Sequence, residues 1–169
     1  MRDALDTSHS VSLCYLINRV LTHSLLMLCN RLVVDVHAMD FIFNHVRSTY
    51  PREAFGVLLG YFSGDAYIVK RAIALEKGYS SEFSFSIDYR EWLERVLAGV
   101  KQGLCYIGMY HSHPDAEPLP STEDVHTMIQ CPGEVWLIVG VWSDGRVEYA
   151  AYTIPGPGCG IARLVVEFL

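Results

Sequence analysis

Hydrophobic positions change period several times along the chain, and each change marks an element. Leu13, Leu16, Ile17, Val20, Leu21, Leu25 and Leu28 recur at helical spacing, with Asn18, Arg19, Thr22 and His23 largely off that face. This predicts an amphipathic helical extension over residues 1–30, packed either on the rest of the chain or on a second subunit to give a homodimer. The alternatives are a helix lying on a membrane surface or an upstream extension from a misplaced start. Residues 31–36 read as a short β-branched strand. Met39, Phe41, Ile42, His45 and Val46 then mark a helix that stops before Pro51. Residues 53–60 form an apolar run of strand length, and residues 66–75 return as a strand after the turn Ser63-Gly64-Asp65. Phe83, Phe85 and Ile87 alternate with serines, the pattern of a half-buried strand. Asp88, with Glu91 three residues on, predicts a capping box for a helix whose stripe is Trp92, Leu93, Val96, Leu97 and Val100.

A buried strand over residues 104–110 runs straight into His111-Ser112-His113-Pro114. Pro118 and Pro120 keep residues 115–120 out of regular pairing, and Ser121 opens the next helix. Residues 135–142 and 146–153 flank Ser143-Asp144-Gly145 as a hairpin, and Pro155-Gly156-Pro157-Gly158 breaks the chain before a last apolar segment. There is no internal repeat and no interdomain linker. The expectation is one α/β domain over residues 31–169, an α+β mixed sheet flanked by helices.

Composition narrows the function classes. Of 169 residues, 51% are hydrophobic and 19% charged, which suits a filled core and not a disordered chain. The net charge is −6 and no basic run exceeds Lys70-Arg71, so nucleic acid is not an expected partner. Asn18, Arg19 and His23 interrupt the apolar N-terminal stretch, which argues against a transmembrane span and a signal peptide. Five scattered cysteines with no C-x-x-C pair argue against both a disulfide framework and a thiolate zinc site. A reducing cytoplasm is the expected location.

The chemistry concentrates in one stretch. On an extended chain residues i and i+2 face the same way, so His111 and His113 can reach one ion, and imidazole pairs are ordinary zinc ligands. Asp124, one turn into the following helix, faces back toward the histidines as a third ligand. Three protein ligands leave a fourth position for water, the arrangement of a catalytic zinc site. Taken alone, H-x-H at a strand end is also consistent with a surface accident, and Ser121 and Asp124 with simple helix caps.

Together with Glu53 on an upstream strand, His111-Ser112-His113-Pro114, Ser121 and Asp124 compose H-S-H-P-x6-S-x-x-D. This resembles the JAMM motif of the MPN+ (Mov34/MPN/PAD-1-like) zinc metalloproteases, over roughly residues 32–154. The resemblance implies an MPN/JAMM, cytidine-deaminase-like architecture and one zinc per chain held by His111, His113 and Asp124. It implies that Glu53 activates the attacking water and returns the proton to the leaving amine, and that Ser121 stabilises the oxyanion. Eukaryotic deubiquitinating members carry Cys-Trp-Leu before the motif serine and a long insertion after the metal-binding helix. This chain has Asp115-Ala116-Glu117-Pro118-Leu119-Pro120 and a short connection over residues 130–134 instead. It therefore resembles the compact prokaryotic branch, whose substrates are ubiquitin-like or sulfur-carrier proteins with a Gly-Gly tail. A further reading is release of cysteine or a short extension from a sulfur carrier, and one of another class is a scaffold without turnover. Asp115 and Glu117 read as solvated loop acids, His126 as structural, and His9, His23, His37 and His45 as histidines without a partner pattern. Trp92, Trp136 and Trp142 read as core or surface aromatics.

Overall fold

The computed structural model describes residues 29–82 and 85–169. The expected N-terminal extension lies outside these but for Cys29 and Asn30. Among the described residues no helix is long and apolar enough to cross a membrane.

The elements follow the hydrophobic pattern closely. Strand β1 (Arg31–Val34) leads into helix α1 (Val36–Thr49), followed by the hairpin of β2 (Phe55–Ser63) and β3 (Ala66–Ala74). Two short strands, β4 (Gly78–Ser80) and β5 (Phe85–Ile87), pair only with each other and precede helix α2 (Tyr89–Val100). Strand β6 (Cys105–Pro114), helix α3 (Thr122–Gln130) and strand β7 (Val135–Val141) make a crossover, and β8 (Val147–Thr153) and β9 (Ala162–Phe168) complete the chain. The mixed α/β class is as expected.

Seven strands close into a barrel in the order β1-β3-β2-β6-β7-β8-β9, sealed by parallel pairing of β1 with β9. The sequence predicted a mixed sheet without saying whether it closes, because nothing in local periodicity encodes which terminal strands meet. Every barrel strand sends alternate residues inward, among them Leu32, Leu58, Tyr67, Tyr110, Leu137, Ala151 and Leu164. Helix α1 packs Ala38, Met39, Ile42 and Val46 on that inner face. Phe41, read as part of its stripe, is exposed and stacks on His45 instead.

The outer face carries two further cores. Helix α2 lays Trp92 and Val96 against Phe55, Val57, Leu59, Tyr106 and Met109 of β2 and β6. Helix α3 lays Met128 against Trp136, Ile138, Ala150 and Tyr152 of β7 and β8. Between these two helices the ends of β2, β6 and β7 meet, and the polar site forms there. The capping box expected at α2 is only half made. Asp88 accepts hydrogen bonds from the N–H groups of Arg90 and Glu91, but Glu91 is buried and accepts from the N–H groups of Glu76 and Lys77. Those two orphan donors in the β3–β4 connection lie within its reach, whereas the Asp88 N–H is already directed to the Lys77 carbonyl.

Candidate functional site

Strand β6 sets the histidines by alternation. Tyr110 and Ser112 turn inward, so His111 and His113 both project outward. The β2–β6 ladder pairs Phe55 with His111. It continues one step further because the Ser112 N–H donates to the Ala54 carbonyl at 2.8 Å. The Ala54 N–H also donates to Ser112 Oγ at 2.8 Å. Continuing that antiparallel register by one residue puts Glu53 beside His113. The motif's middle serine thus holds the glutamate strand to the histidine strand, a role its position between two histidines did not reveal.

Parallel strands need a crossover, and the helix of that crossover must start above the end of the strand it leaves. Helix α3 therefore begins over the end of β6. Ser121 is its N-cap: Ser121 Oγ accepts from the Asp124 N–H at 3.1 Å, and Asp124 Oδ2 accepts from the Ser121 N–H at 2.7 Å. This full capping box aims the Asp124 carboxylate at the two imidazoles.

The three side chains converge. His111 Nε2 lies 3.0 Å from His113 Nε2, Asp124 Oδ1 lies 3.1 Å from His111 Nε2, and Asp124 Oδ2 lies 3.3 Å from His113 Nε2. Two imidazole nitrogens and one carboxylate are a donor set that zinc takes readily. Ligands at the usual tetrahedral zinc distances stand about 3.3 Å apart, so these separations already match such a centre to within a few tenths of an ångström. His111, His113 and Asp124 could hold a metal with little movement.

Electrostatics separates the two carboxylates. Burial opposes ionisation of Asp124, but hydrogen bonds with His111 and His113 and from the Ser121 N–H outweigh it and hold the carboxyl far below its ordinary range. Burial pushes Glu53 up to about 7; the nearby Asp124 charge adds to this and His113 works against it. Burial lowers His111, the deeper ring. Burial also opposes the charge on His113, yet Asp124, Glu53 and the Glu117 carbonyl together raise its pKa. A carboxylate that titrates near neutrality beside a convergent metal-type donor set can exchange protons with a bound water at working pH.

The remaining candidates are accounted for differently. His126 is exposed and contacts Gln130, and His37 is exposed on the first turn of α1. His45, read as lacking a partner, is half-buried with its Nδ1 2.9 Å from the hydroxyl of inward-facing Tyr110. Asp115 is exposed but accepts from the Tyr50 hydroxyl at 2.7 Å. Trp92 is core, Trp142 stacks under the Arg146 guanidinium, and Trp136 meets the His111 ring edge-on with centroids 6.0 Å apart. Sequence reading missed Ser112 and Trp136 as supports of the histidines. The available signal was a serine facing inward between tyrosine and proline on an otherwise apolar strand.

The sequence model of the family described as prokaryotic homologs of the JAB domain matches residues 35–152, a span that holds Glu53, His111, His113, Ser121 and Asp124. The chain is a prokaryotic JAB-domain protein. Among relatives of this JAB domain, a desampylase of Haloferax volcanii is 31% identical over 132 residues, covering 75% of this chain and 91% of that protein. A desampylase of Pyrococcus furiosus is 27% identical over 123 residues, covering 73% and 81% respectively. The solution structure of a Desulfitobacterium hafniense protein superposes with a TM-score of 0.70 at 27% identity, covering 82% of this chain and 92% of the other. The compact JAB fold, without the long insertion of the eukaryotic members, is therefore the right frame for the site.

Proposed function

We propose that this JAB domain is a zinc-dependent isopeptidase that hydrolyses the bond after the C-terminal Gly-Gly of a ubiquitin-like or sulfur-carrier protein. The observation that carries the reading is the convergence of His111, His113 and Asp124 beside a glutamate whose carboxyl titrates near neutrality. Its relatives support the substrate class, since a desampylase takes a ubiquitin-like modifier off its target.

His111, His113 and Asp124 would hold the metal, which when bound supplies a water of lowered pKa and a positive charge that polarises the scissile carbonyl. Glu53 accepts the proton of the attacking water and delivers it to the departing amine. A carboxyl near pH 7 can do both, worth roughly 10²–10⁴-fold. Ser121 already accepts the Asp124 N–H through its oxygen, which leaves its own O–H available to donate to the developing oxyanion. The scaffold reading is the weaker one, because a site without turnover has no use for a buried carboxyl of raised pKa beside the donor set.

Metal analysis of the purified protein tests the site, with about one zinc per chain expected. His111→Ala and Asp124→Asn should each lose it. Full zinc in both variants would refute the assignment. Substrate class is tested with a modifier panel whose tails end in Gly-Gly, Ala-Gly, Gly-Ala or Val-Gly. Cleavage confined to Gly-Gly is expected, and equal cleavage across the panel would leave only a generic metallopeptidase. Preferential release of cysteine from a carrier adduct would move the protein to sulfur metabolism.

A further inference from the structure

Glu53 stands just ahead of β2, and the main chain there is gripped from two sides. In an extended chain the N–H and C=O of one residue point to the same side, and those of the next residue to the other. Ala54 turns its pair toward β6, where Ser112 takes both. Ser112 Oγ accepts the Ala54 N–H, and the Ser112 N–H donates to the Ala54 carbonyl. Glu53 turns its pair the other way, toward β4. Its N–H donates to the Ser81 carbonyl at 2.8 Å, and its carbonyl accepts the Ser80 hydroxyl.

The hold on Glu53 comes from a segment that leaves β2 and returns to it. The Leu75 N–H still donates to the Phe55 carbonyl at 3.0 Å, just past the end of the β2–β3 ladder. From Phe55 to Glu53 the chain moves two positions, whereas from Leu75 to Ser81 it moves six. The extra residues form the Glu76-Lys77 connection and β4. Such a detour can fix its neighbour only if it is itself fixed. Buried Glu91 of α2 accepts the N–H groups of Glu76 and Lys77 at 2.9 and 2.7 Å, and β4 pairs along its length with β5. Ser80 therefore offers its hydroxyl from a supported element.

We propose that Ser80 is a positioning residue for Glu53: its hydroxyl holds the Glu53 carbonyl from the β4 side, against the hold of Ser112 on Ala54, and so fixes where the carboxyl stands beside His113. Without that hydroxyl the Glu53 peptide keeps its bond to the Ser81 carbonyl, about which it can tilt, and the carboxyl moves with it. A displacement of about 1 Å at a reacting group can cost on the order of 10²-fold in rate. The proposal rests on the reading of Glu53 as the group that takes the proton of the attacking water.

The test combines kinetics of the full chain on a Gly-Gly-tailed modifier joined to a lysine side chain with zinc affinity, measured by competition with a chromophoric chelator. Amide hydrogen exchange and melting curves of the metal-free protein accompany them. Ser80→Ala should lower kcat roughly 10- to 100-fold, with KM and the zinc Kd within about twofold of the parent. Exchange should quicken at the Glu53 N–H and hold at Leu58, inside the β2 ladders. Ser80→Thr keeps the hydroxyl and should return kcat to near the parent value. A merely structural role would lower the melting temperature and leave kcat unchanged. An equal loss of kcat in Ser80→Thr would overturn the role of the hydroxyl. If Ser80→Ala fails to fold, Ser80→Cys, which keeps the shape but donates weakly, decides in its place, with a fall in kcat expected. Should Glu53→Gln lose turnover while Ser80→Ala keeps the parent kcat, the positioning role is wrong and the proton acceptor stands. Parental turnover by Glu53→Gln, or none by the parent protein, would overturn both.

Discussion

Two buried carboxylates lie near His113, and their surroundings drive their pKa values apart. Asp124 enters on the first turn of a helix, where the Ser121 N–H and both histidines favour its charge. Glu53 enters just ahead of a strand, where burial and the Asp124 charge disfavour ionisation and push it up to about 7. The helix start offers the Ser121 N–H to Asp124, whereas at the strand entry the Glu53 N–H goes to the Ser81 carbonyl and the Ala54 N–H to Ser112 Oγ. The backbone at each entry thus suits one group to stay anionic and bind a cation, and the other to trade protons. Environments that split two carboxyls this way are how acid and base roles are divided within one site.

The sharpest way to break the comparison is to swap the roles. Glu53→Gln should lose at least roughly 10²–10⁴ in kcat while keeping zinc at parental affinity. Asp124→Asn should lose both together. Turnover of Glu53→Gln near the parent value, or loss of its zinc, would merge the two carboxylates into one function. A smaller effect is expected at Ser121, which touches only the helix side. Ser121→Ala should cost about 10²–10³-fold in kcat if its hydroxyl reaches the oxyanion, and about 1 kcal/mol of stability from the lost cap. A stability loss with unchanged kcat would confine Ser121 to capping.

Much of this division was legible in the sequence because local rules govern it. The i, i+2 histidines on β6 and the S-x-x-D start of α3 are short-range patterns, and both formed as spaced. Closure of β1 on β9 was not legible, since it joins residues more than 130 positions apart. Nor was the seat of the 115–120 loop on β7: the Ala116 carbonyl comes close to Gly140 only because that residue has no side chain, which residue type alone does not announce. The His45–Tyr110 pair escaped for the same reason as barrel closure, being 65 residues apart.

The finest contrast concerns stability without metal. The Glu53 carboxyl has an ordinary value of 4.5 and a folded value of about 7, so between those limits the folded protein keeps a proton that the unfolded chain releases. Stability therefore falls as pH rises through that window, by up to about 3 kcal/mol at 1.36 kcal/mol per unit, and is flat above it. Asp124 has the opposite sign, but its lowered value confines its effect to acid solution, where it is already fully ionised well below pH 5. His113, with its pKa raised, also loses stability as pH rises, and removing the Glu53 charge trims that contribution. Comparing parent with Glu53→Gln isolates the glutamate and this coupling. In chelator-treated protein the variant should be more stable than the parent at pH 8, and the advantage should shrink steadily toward pH 5. Parallel melting curves across that range would mean that Glu53 ionises in the fold as it does in water, and the electrostatic division of labour would lose its second half.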